Sequence, residues 1–203
     1  MRTFTTCCLL VFALATGEAG WAQSARLPLE ITLFDNATLL PGSATLGVVG
    51  IPVHPGISAG TEWRYNNNPK NTWYQTARAA YHYHRYVQHA IQLYSEFGYR
   101  RQIRHFDGGL RLGIGYLHAI PANKIFELNS QGQYARQRSI GRPQFMATSA
   151  LALGYRIAGL PEAPVRIVLA CQFYVQMPFS PGYVPLVPNT ALHLGLSFPF
   201  FKH

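Results

Sequence analysis

Cysteine is scarce in this chain of 203 residues, which contains three. Cys7 and Cys8 lie close to the start, so Cys171 is the only cysteine in the remainder. A lone cysteine cannot form an intramolecular disulfide, which excludes a disulfide-stapled fold for that part of the chain. Stability there must come from strand pairing and packing.

Long apolar runs are also lacking. The longest, from about Cys7 to Ala15, is far shorter than the ~20 residues that a membrane-spanning helix needs. A chain without such a run can span a membrane only as a closed β-barrel, because backbone polar groups find no water in the hydrocarbon region.

Acidic residues and lysine are few, whereas arginine is common. The chain has 8 Asp and Glu against 17 Lys and Arg, and the only lysines are Lys70, Lys124 and Lys202. No basic run exceeds two residues, so the net charge of +9 does not have the clustered pattern of a nucleic-acid-binding surface, and we expect no nucleic-acid partner. Arginines spaced singly are better suited to a polar interior or to anionic phosphate groups.

The first 22 residues have the pattern of a secretory signal peptide. A basic Arg2 precedes the apolar run, and Gly20 and Ala22 place small residues at the positions that a signal peptidase recognises. We therefore predict a secreted precursor with signal peptide 1–22. The remaining ~180 residues correspond to one domain.

From Gly56 onward, apolar residues alternate with small or polar ones, the period of a β-strand. Seven segments show this pattern: Gly56–Tyr65, Thr72–Arg85, His89–Gln102, Gly109–Ala119, Pro143–Ile157, Val165–Met177 and Asn189–Phe201. Bacterial barrels have an even strand number, so an eighth strand should lie upstream. We predict it at Thr45–Val53, with Leu29–Asp35 as the alternative. Residues 23–44 then form an N-terminal periplasmic segment, and 45–203 form the barrel domain.

Faces and loops of these segments agree with an outer-membrane location. Trp63, Trp73 and Tyr155 at one end, and Tyr83 and Tyr116 at the other, share the apolar face, as in the aromatic girdles of membrane barrels. The two longest connections also fall on one side, as extracellular loops do. A soluble exported ligand-binding barrel, the alternative, would bury that apolar face instead.

On these residues, and on the aromatic terminal segment LSFPFFKH, the chain resembles the small eight-stranded outer-membrane β-barrel family of Gram-negative-type bacteria. LSFPFFKH is similar to the assembly signal of that family, although Lys202 and His203 follow the last aromatic residue. The resemblance is architectural and covers Thr45 to Phe201. It implies an all-β, closed, antiparallel up-and-down transmembrane barrel, and no subfamily follows from it.

Eight strands enclose an interior that side chains can fill, so we expect a polar plug rather than an open channel. Strand parity places the two carboxylates and six arginines of a predicted lumen polar network inside the barrel. These residues are Glu62, Arg64, Arg78, Glu96, Arg100, Arg111, Arg156 and Arg166. The interpretation is a structural network of ion pairs.

A second candidate site lies near the predicted outer rim. His82 and His84 share one strand face, and His89 follows in the adjacent loop. Two imidazoles are an incomplete ligand set for zinc, so we predict rim histidines without a metal and no cofactor.

Catalysis is not predicted. The lipid A deacylase type of small barrel uses a His-x-Ser pair plus an acid, and no His-x-Ser occurs in this sequence. His193 and Ser197 share a face, but four residues along a strand put them roughly 13 Å apart. A lipid hydrolase formed by residues of different strands remains the alternative, since registers cannot be derived from sequence.

The predicted function is therefore a non-catalytic outer-membrane role, structural or through surface binding. The expected partners are outer-membrane lipid and lipopolysaccharide, with another envelope protein as a further candidate. The long loop from Pro121 to Arg142 is the expected binding element, since loops on a rigid scaffold commonly carry recognition. Its basic end holds Arg136, Arg138 and Arg142.

Overall fold

The computed structural model describes residues 27–39, 52–123, 125–128, 132–137, 140–157, 165–180 and 182–201. Within these ranges no helix is long and apolar enough to cross a membrane. The described residues form strands β1 (Leu27–Thr38), β2 (Pro55–Arg64), β3 (Asn71–His84), β4 (Gln88–Ile103), β5 (Phe106–Pro121), β6 (Ile125–Leu128), β7 (Tyr134–Gln137), β8 (Arg142–Arg156), β9 (Arg166–Met177) and β10 (Val187–Phe201).

Eight of these strands close into a barrel. Each strand pairs antiparallel with its neighbour in the order β1, β2, β3, β4, β5, β8, β9 and β10, and β10 pairs back to β1. Strands β6 and β7 form a separate two-stranded hairpin in the connection between β5 and β8. The predicted all-β, closed, antiparallel eight-stranded fold is confirmed.

The position of the first strand differs from the prediction. The eighth barrel strand is β1, which contains the alternative Leu29–Asp35 and pairs with both β2 and β10. Thr45–Val53 is therefore wrong as the closing strand; its residues 45–51 lie outside the described residues. The barrel also begins earlier than residue 45, so residues 27–38 of the predicted periplasmic segment belong to the barrel wall. The predicted signal peptide 1–22 lies outside the described residues.

Connections at the two ends of the barrel differ in length. At the end that holds Leu27 and Phe201, the strands are joined by residues 65–70, 104–105 and 157–165. At the opposite end they are joined by residues 39–54, 85–87, 122–141 and 178–186. Short turns mark the periplasmic end of such barrels, and longer loops mark the extracellular end. We call the first the inner end and the second the outer end.

The exterior of the barrel is apolar. Leu33 and Leu151 are each 66% exposed on the outer face, and Leu112 is 57% exposed. Residues adjacent to them in sequence point inward and are buried, for example Thr32 and Ala150. This is the opposite of a soluble barrel, which buries its apolar face. The structure therefore argues against the soluble alternative.

Glycines make room for large side chains in the lumen. A Cβ on Gly98 would lie 2.6 Å from the ring of Tyr74, and one on Gly56 would lie 2.4 Å from the ring of Phe34. Each ring belongs to the residue that pairs with the glycine on the neighbouring strand, and it fills the space that the missing side chain leaves. The lumen is thus packed with side chains, as expected for eight strands.

Candidate functional site: the polar lumen and the outer mouth

The inner half of the lumen holds an ion-pair network, which begins at Glu62 on β2. Arg100 on β4 donates two hydrogen bonds to this carboxylate, from Nη1 to Oε1 at 3.0 Å and from Nη2 to Oε2 at 2.5 Å. The guanidinium of Arg100 also lies over the ring of Tyr74, 4.4 Å from its centroid. A bidentate pair with a stacked guanidinium fixes both position and orientation.

Arg100 connects this pair to a second one. Its Nε lies 3.7 Å from Oδ1 of Asp107, at the start of β5. Asp107 in turn accepts two hydrogen bonds from Arg166 of β9, one of them from Nε to Oδ2 at 2.7 Å. Four strands are thus linked across the lumen at its inner end.

Glu30 of β1 joins the inner and central parts of the network. Its Oε1 accepts a hydrogen bond from Arg78 Nη2 at 2.5 Å and lies 3.7 Å from Arg111 Nη1. Its Oε2 lies 3.7 Å from Arg166 Nη1. One carboxylate on the closing strand therefore contacts three arginines from three other strands.

Glu96, at the centre of the lumen, is fully buried. Its Oε2 lies 3.4 Å from Arg111 Nε and 3.7 Å from Arg78 Nε. Its Oε1 accepts hydrogen bonds from Thr148 at 3.0 Å and from Gln172 at 3.3 Å. The buried carboxylate thus has two guanidinium groups beside one oxygen and two neutral donors on the other.

The network balances its charge. Four carboxylates meet four arginines whose side chains are at most 10% exposed. The eight residues are Glu30, Glu62, Glu96, Asp107, Arg78, Arg100, Arg111 and Arg166. Because every member has an oppositely charged partner within 4 Å, the lumen at this level is a neutral, side-chain-filled plug.

The structure brings together most, but not all, of the predicted network. Glu62, Glu96 and the four arginines named above are in it. Arg64 lies at its inner edge, where its Nε is 3.3 Å from Glu62 Oε1 and its side chain is 54% exposed. Arg156 is half-buried and donates instead to a neutral acceptor, Gln102 Oε1, at 2.8 Å. Glu30 and Asp107 also belong to the network, and strand parity did not predict either of them.

Neutral polar groups replace the ion pairs toward the outer end. Thr32 Oγ1 lies 3.0 Å from His193 Nδ1, and His193 Nε2 lies 3.1 Å from Gln172 Oε1. The ring of Phe34 stacks on His193 with 4.5 Å between centroids. Thr32 and His193 form a hydroxyl–imidazole pair, but both are buried within the lumen, away from any substrate that reaches the barrel from the membrane.

The predicted rim site has a different composition. His82 and His84 are buried in the lumen as expected, and the ring of His54 stacks on His84 at 3.7 Å between centroids. His89 is wrong as their companion: it lies on β4 and faces outward, with its Nδ1 2.8 Å from Tyr81 Oη. Its parity with Ile91 and Leu93 on the same strand explains this direction. Among the described residues no group of three or more His, Cys, Asp or Glu could hold a metal ion.

A small cleft opens at the outer mouth. It has a volume of about 140 Å³ and lies where the ends of β4, β5 and β8 meet the segment that follows β9. Its lining includes Gln88, Gln144 and Phe179, and one charged residue, the exposed Arg142. Gln144 Nε2 donates to the carbonyl of Phe179 at 3.3 Å and so ties the wall of the cleft to the outer segment.

No family model matches the chain, and no curated protein matches it. Among solved structures, the barrel is similar to Neisserial surface protein A, with 11% identity, a TM-score of 0.52, and coverage of 88% of this chain and 100% of that one. The outer-membrane enzyme PagL has 14% identity, a TM-score of 0.46 and coverage of 84% and 99%. Ail, the attachment invasion locus protein of Yersinia pestis, has 13% identity, a TM-score of 0.43 and coverage of 85% and 99%.

At 11% identity, the likeness to Neisserial surface protein A concerns the fold. Together with the apolar exterior, the polar lumen and the arrangement of the connections, it defines the class of this protein. The fold is that of the small eight-stranded outer-membrane β-barrels, and the outer membrane is the location that this architecture serves.

Proposed function

We propose that this barrel is a non-catalytic outer-membrane protein that binds anionic surface lipid, lipopolysaccharide, through its outer mouth and loops. The observation that supports this most directly is the contrast between the two parts of the molecule. The lumen is closed by a charge-balanced network, whereas the outer mouth presents a cleft with an exposed arginine, Arg142.

Because the lumen is closed, we expect no transport through the barrel. Ions would have to cross a layer in which buried side chains fill the space and neutralise one another, and an eight-stranded barrel has no room for a second path. In planar lipid bilayers the protein should give no steady conductance above background. Stable channels would remove this support for the proposal.

Arg142 is placed to meet phosphate. It begins β8, directly after the loop whose sequence holds Arg136 and Arg138, and a guanidinium can donate two parallel hydrogen bonds to one phosphate group. We expect Arg142→Gln to weaken the binding of purified lipopolysaccharide to the folded protein by about tenfold, the value of one charge-assisted contact. Surface plasmon resonance with the protein in detergent would measure it.

Arg64→Gln is the matched control, because Arg64 is also exposed but lies at the inner end. Binding should remain unchanged in that variant. Equal loss in both variants would indicate nonspecific attraction to a cationic protein and would contradict the proposed site.

The loop can be tested separately. The hairpin of β6 and β7 pairs only with itself among the described strands. Removal of residues 122 to 140 should therefore leave the barrel folded, as heat-dependent migration on SDS gels would show, and should cost only binding. Loss of folding would contradict the assignment of this segment as a recognition loop.

A lipid hydrolase is the alternative that this proposal opposes. Two histidines on the lipid-facing side of the barrel wall contact tyrosine hydroxyls among the described residues. His89 contacts Tyr81 and His118 contacts Tyr116, each at 2.8 Å. Such pairs do not supply the serine nucleophile and acid of the deacylase type. Release of fatty acid from lipid A by the purified protein would contradict the non-catalytic role.

A further inference from the structure

Outside the hairpin of β6 and β7, the exposed charge of the described residues has a single sign. Each carboxylate among them, on Glu30, Asp35, Glu62, Glu96 and Asp107, is buried or half-buried. The exposed charged residues are all basic: Arg64, Lys70, Arg85, Arg101, Arg104 and Arg142. Four of these six lie at the inner end, so excess positive charge collects there.

Three exposed basic residues of the inner end, Lys70, Arg101 and Arg104, form a group that we call the collar. Hydrogen bonds from Gln102 hold the backbone of this region together. Gln102 N donates to the carbonyl of Lys70 at 2.8 Å, and Gln102 Nε2 donates to the carbonyl of Arg104 at 3.0 Å. The turn between β2 and β3 is thereby fixed beside the turn between β4 and β5. Lys70 and Arg104 therefore lie on two adjoining turns, and Arg101 lies beside them near the end of β4.

Aromatic rings locate this collar relative to the membrane. Trp73 and Tyr99 contact each other on the outer face, with 4.8 Å between ring centroids, and Trp73 stacks on Phe97 at 5.4 Å. Amphipathic aromatic rings lie at the level of the lipid headgroups. Arg101 follows Tyr99 by two residues on the same face of β4, which places it about 7 Å further along the strand, toward the inner end.

At that depth the groups that face a basic side chain are the phosphates of the inner leaflet. Arginine and lysine stems can lie along the apolar wall while their charged ends reach the phosphate layer. We propose that the collar is a binding surface for anionic phospholipid headgroups of the inner leaflet. This proposal is independent of the outer-mouth function, because the two surfaces lie at opposite ends of the barrel.

Tryptophan fluorescence gives a local readout of this surface. The three tryptophans of the chain are Trp21, Trp63 and Trp73. In a Trp21→Phe background the signal comes from Trp63 and Trp73 alone, and both lie at the inner end, near the collar. The protein is reconstituted in phosphatidylcholine vesicles that contain increasing fractions of brominated phosphatidylglycerol, or of brominated phosphatidylcholine, whose bromines quench nearby tryptophan.

We expect phosphatidylglycerol to be selected over phosphatidylcholine by a relative binding constant on the order of fivefold, the effect of one basic residue near an anionic surface. The triple variant Lys70→Gln, Arg101→Gln, Arg104→Gln should lower this ratio to about one. The matched control, Arg85→Gln, removes exposed charge from the outer end and should leave the ratio unchanged.

Two results would overturn the proposal. One is equal quenching by the two lipids in the parent protein. The other is retention of the preference in a triple variant that still shows the heat-dependent gel mobility of the folded barrel. If the triple variant does not fold, the test is made on the parent protein by adding salt. At 1 M salt, where the screening length is about 3 Å, the preference for phosphatidylglycerol should disappear. A preference that persists there would contradict recognition through charge.

Discussion

The pair of Glu62 and Arg100 allows the buried network to be tested by a double-mutant cycle. Glu62→Leu removes the partner of two hydrogen bonds from Arg100, at 3.0 and 2.5 Å. The one carboxylate then left near Arg100 is Asp107, which is 3.7 Å away and already paired with Arg166. A guanidinium left buried without its carboxylate should destabilise the folded barrel by about 3–5 kcal/mol.

Removal of both partners should cost much less. In Glu62→Leu with Arg100→Met, apolar side chains replace the pair, and no buried charge is left alone at this position, because Asp107 retains Arg166 and Arg64 is largely exposed. We expect the double variant to lie within about 1 kcal/mol of the parent. The coupling energy, the difference between the double variant and the sum of the singles, should then be at least about 2 kcal/mol.

Urea unfolding in lipid vesicles measures these free energies, and tryptophan fluorescence follows it, since Trp63 is adjacent to Glu62 in β2. The comparison requires reversible unfolding of all four proteins. If the double variant were as unstable as the sum of the two singles, the two residues would be acting independently, and the ion-pair account of the lumen would be refuted.

Three further substitutions probe the wall, the exterior and a turn, each with urea unfolding as the measurement. Gly113→Ala would place a Cβ 2.2 Å from the carbonyl oxygen of Ser95 and should lower the free energy of unfolding by about 1–3 kcal/mol. Gly108→Ala is the control and should be close to neutral, because the nearest atom to its Cβ would be 3.7 Å away. Equal effects of the two substitutions would contradict the close approach of the strands at Gly113. Leu112→Arg puts a charge at the middle of the lipid-facing surface and should cost about 2–4 kcal/mol, and a neutral result would argue against a membrane at that height. Arg104 has a φ of 56°, so Arg104→Gly should raise stability by about 1 kcal/mol, and a loss would show that the arginine side chain stabilises the turn.

Most of the barrel wall follows from the sequence because strand alternation is a local signal. The burial of β3 and β9 alternates residue by residue, as their sequences predict. Closure of the barrel is not local. Leu29–Asp35 and Thr45–Val53 both fit the pattern, and only pairing of β1 with β10, at the other end of the chain, distinguishes them.

The parts of the site that were missed have the same origin. Glu30 lies on the misplaced first strand, so its contact with Arg78 could not be anticipated. Asp107 falls between the predicted strands His89–Gln102 and Gly109–Ala119. In the structure β5 already begins at Phe106, and the pleat of the longer strand points the aspartate into the lumen. The outward direction of His89, by contrast, can be predicted from the sequence, because His89 has the same strand parity as Ile91.

The histidines near the outer rim show a second reason why the sequence predicts only part of the site. Parity places His82 and His84 inside the barrel, but the partner that stacks on His84 is His54, which is 30 positions earlier in the chain and precedes β2. Contacts of this kind depend on register between strands and on where a loop residue folds back. Neither is encoded in the spacing of residues along one strand.

The central claim is that the chain is a closed barrel embedded in the outer membrane, and gel migration of the outer-membrane fraction tests it most directly. The account predicts that the protein is recovered in that fraction and that the unboiled sample migrates differently from the boiled one, because the closed, hydrogen-bonded barrel resists unfolding by SDS. Recovery as a soluble periplasmic protein, with identical migration before and after boiling, would contradict it.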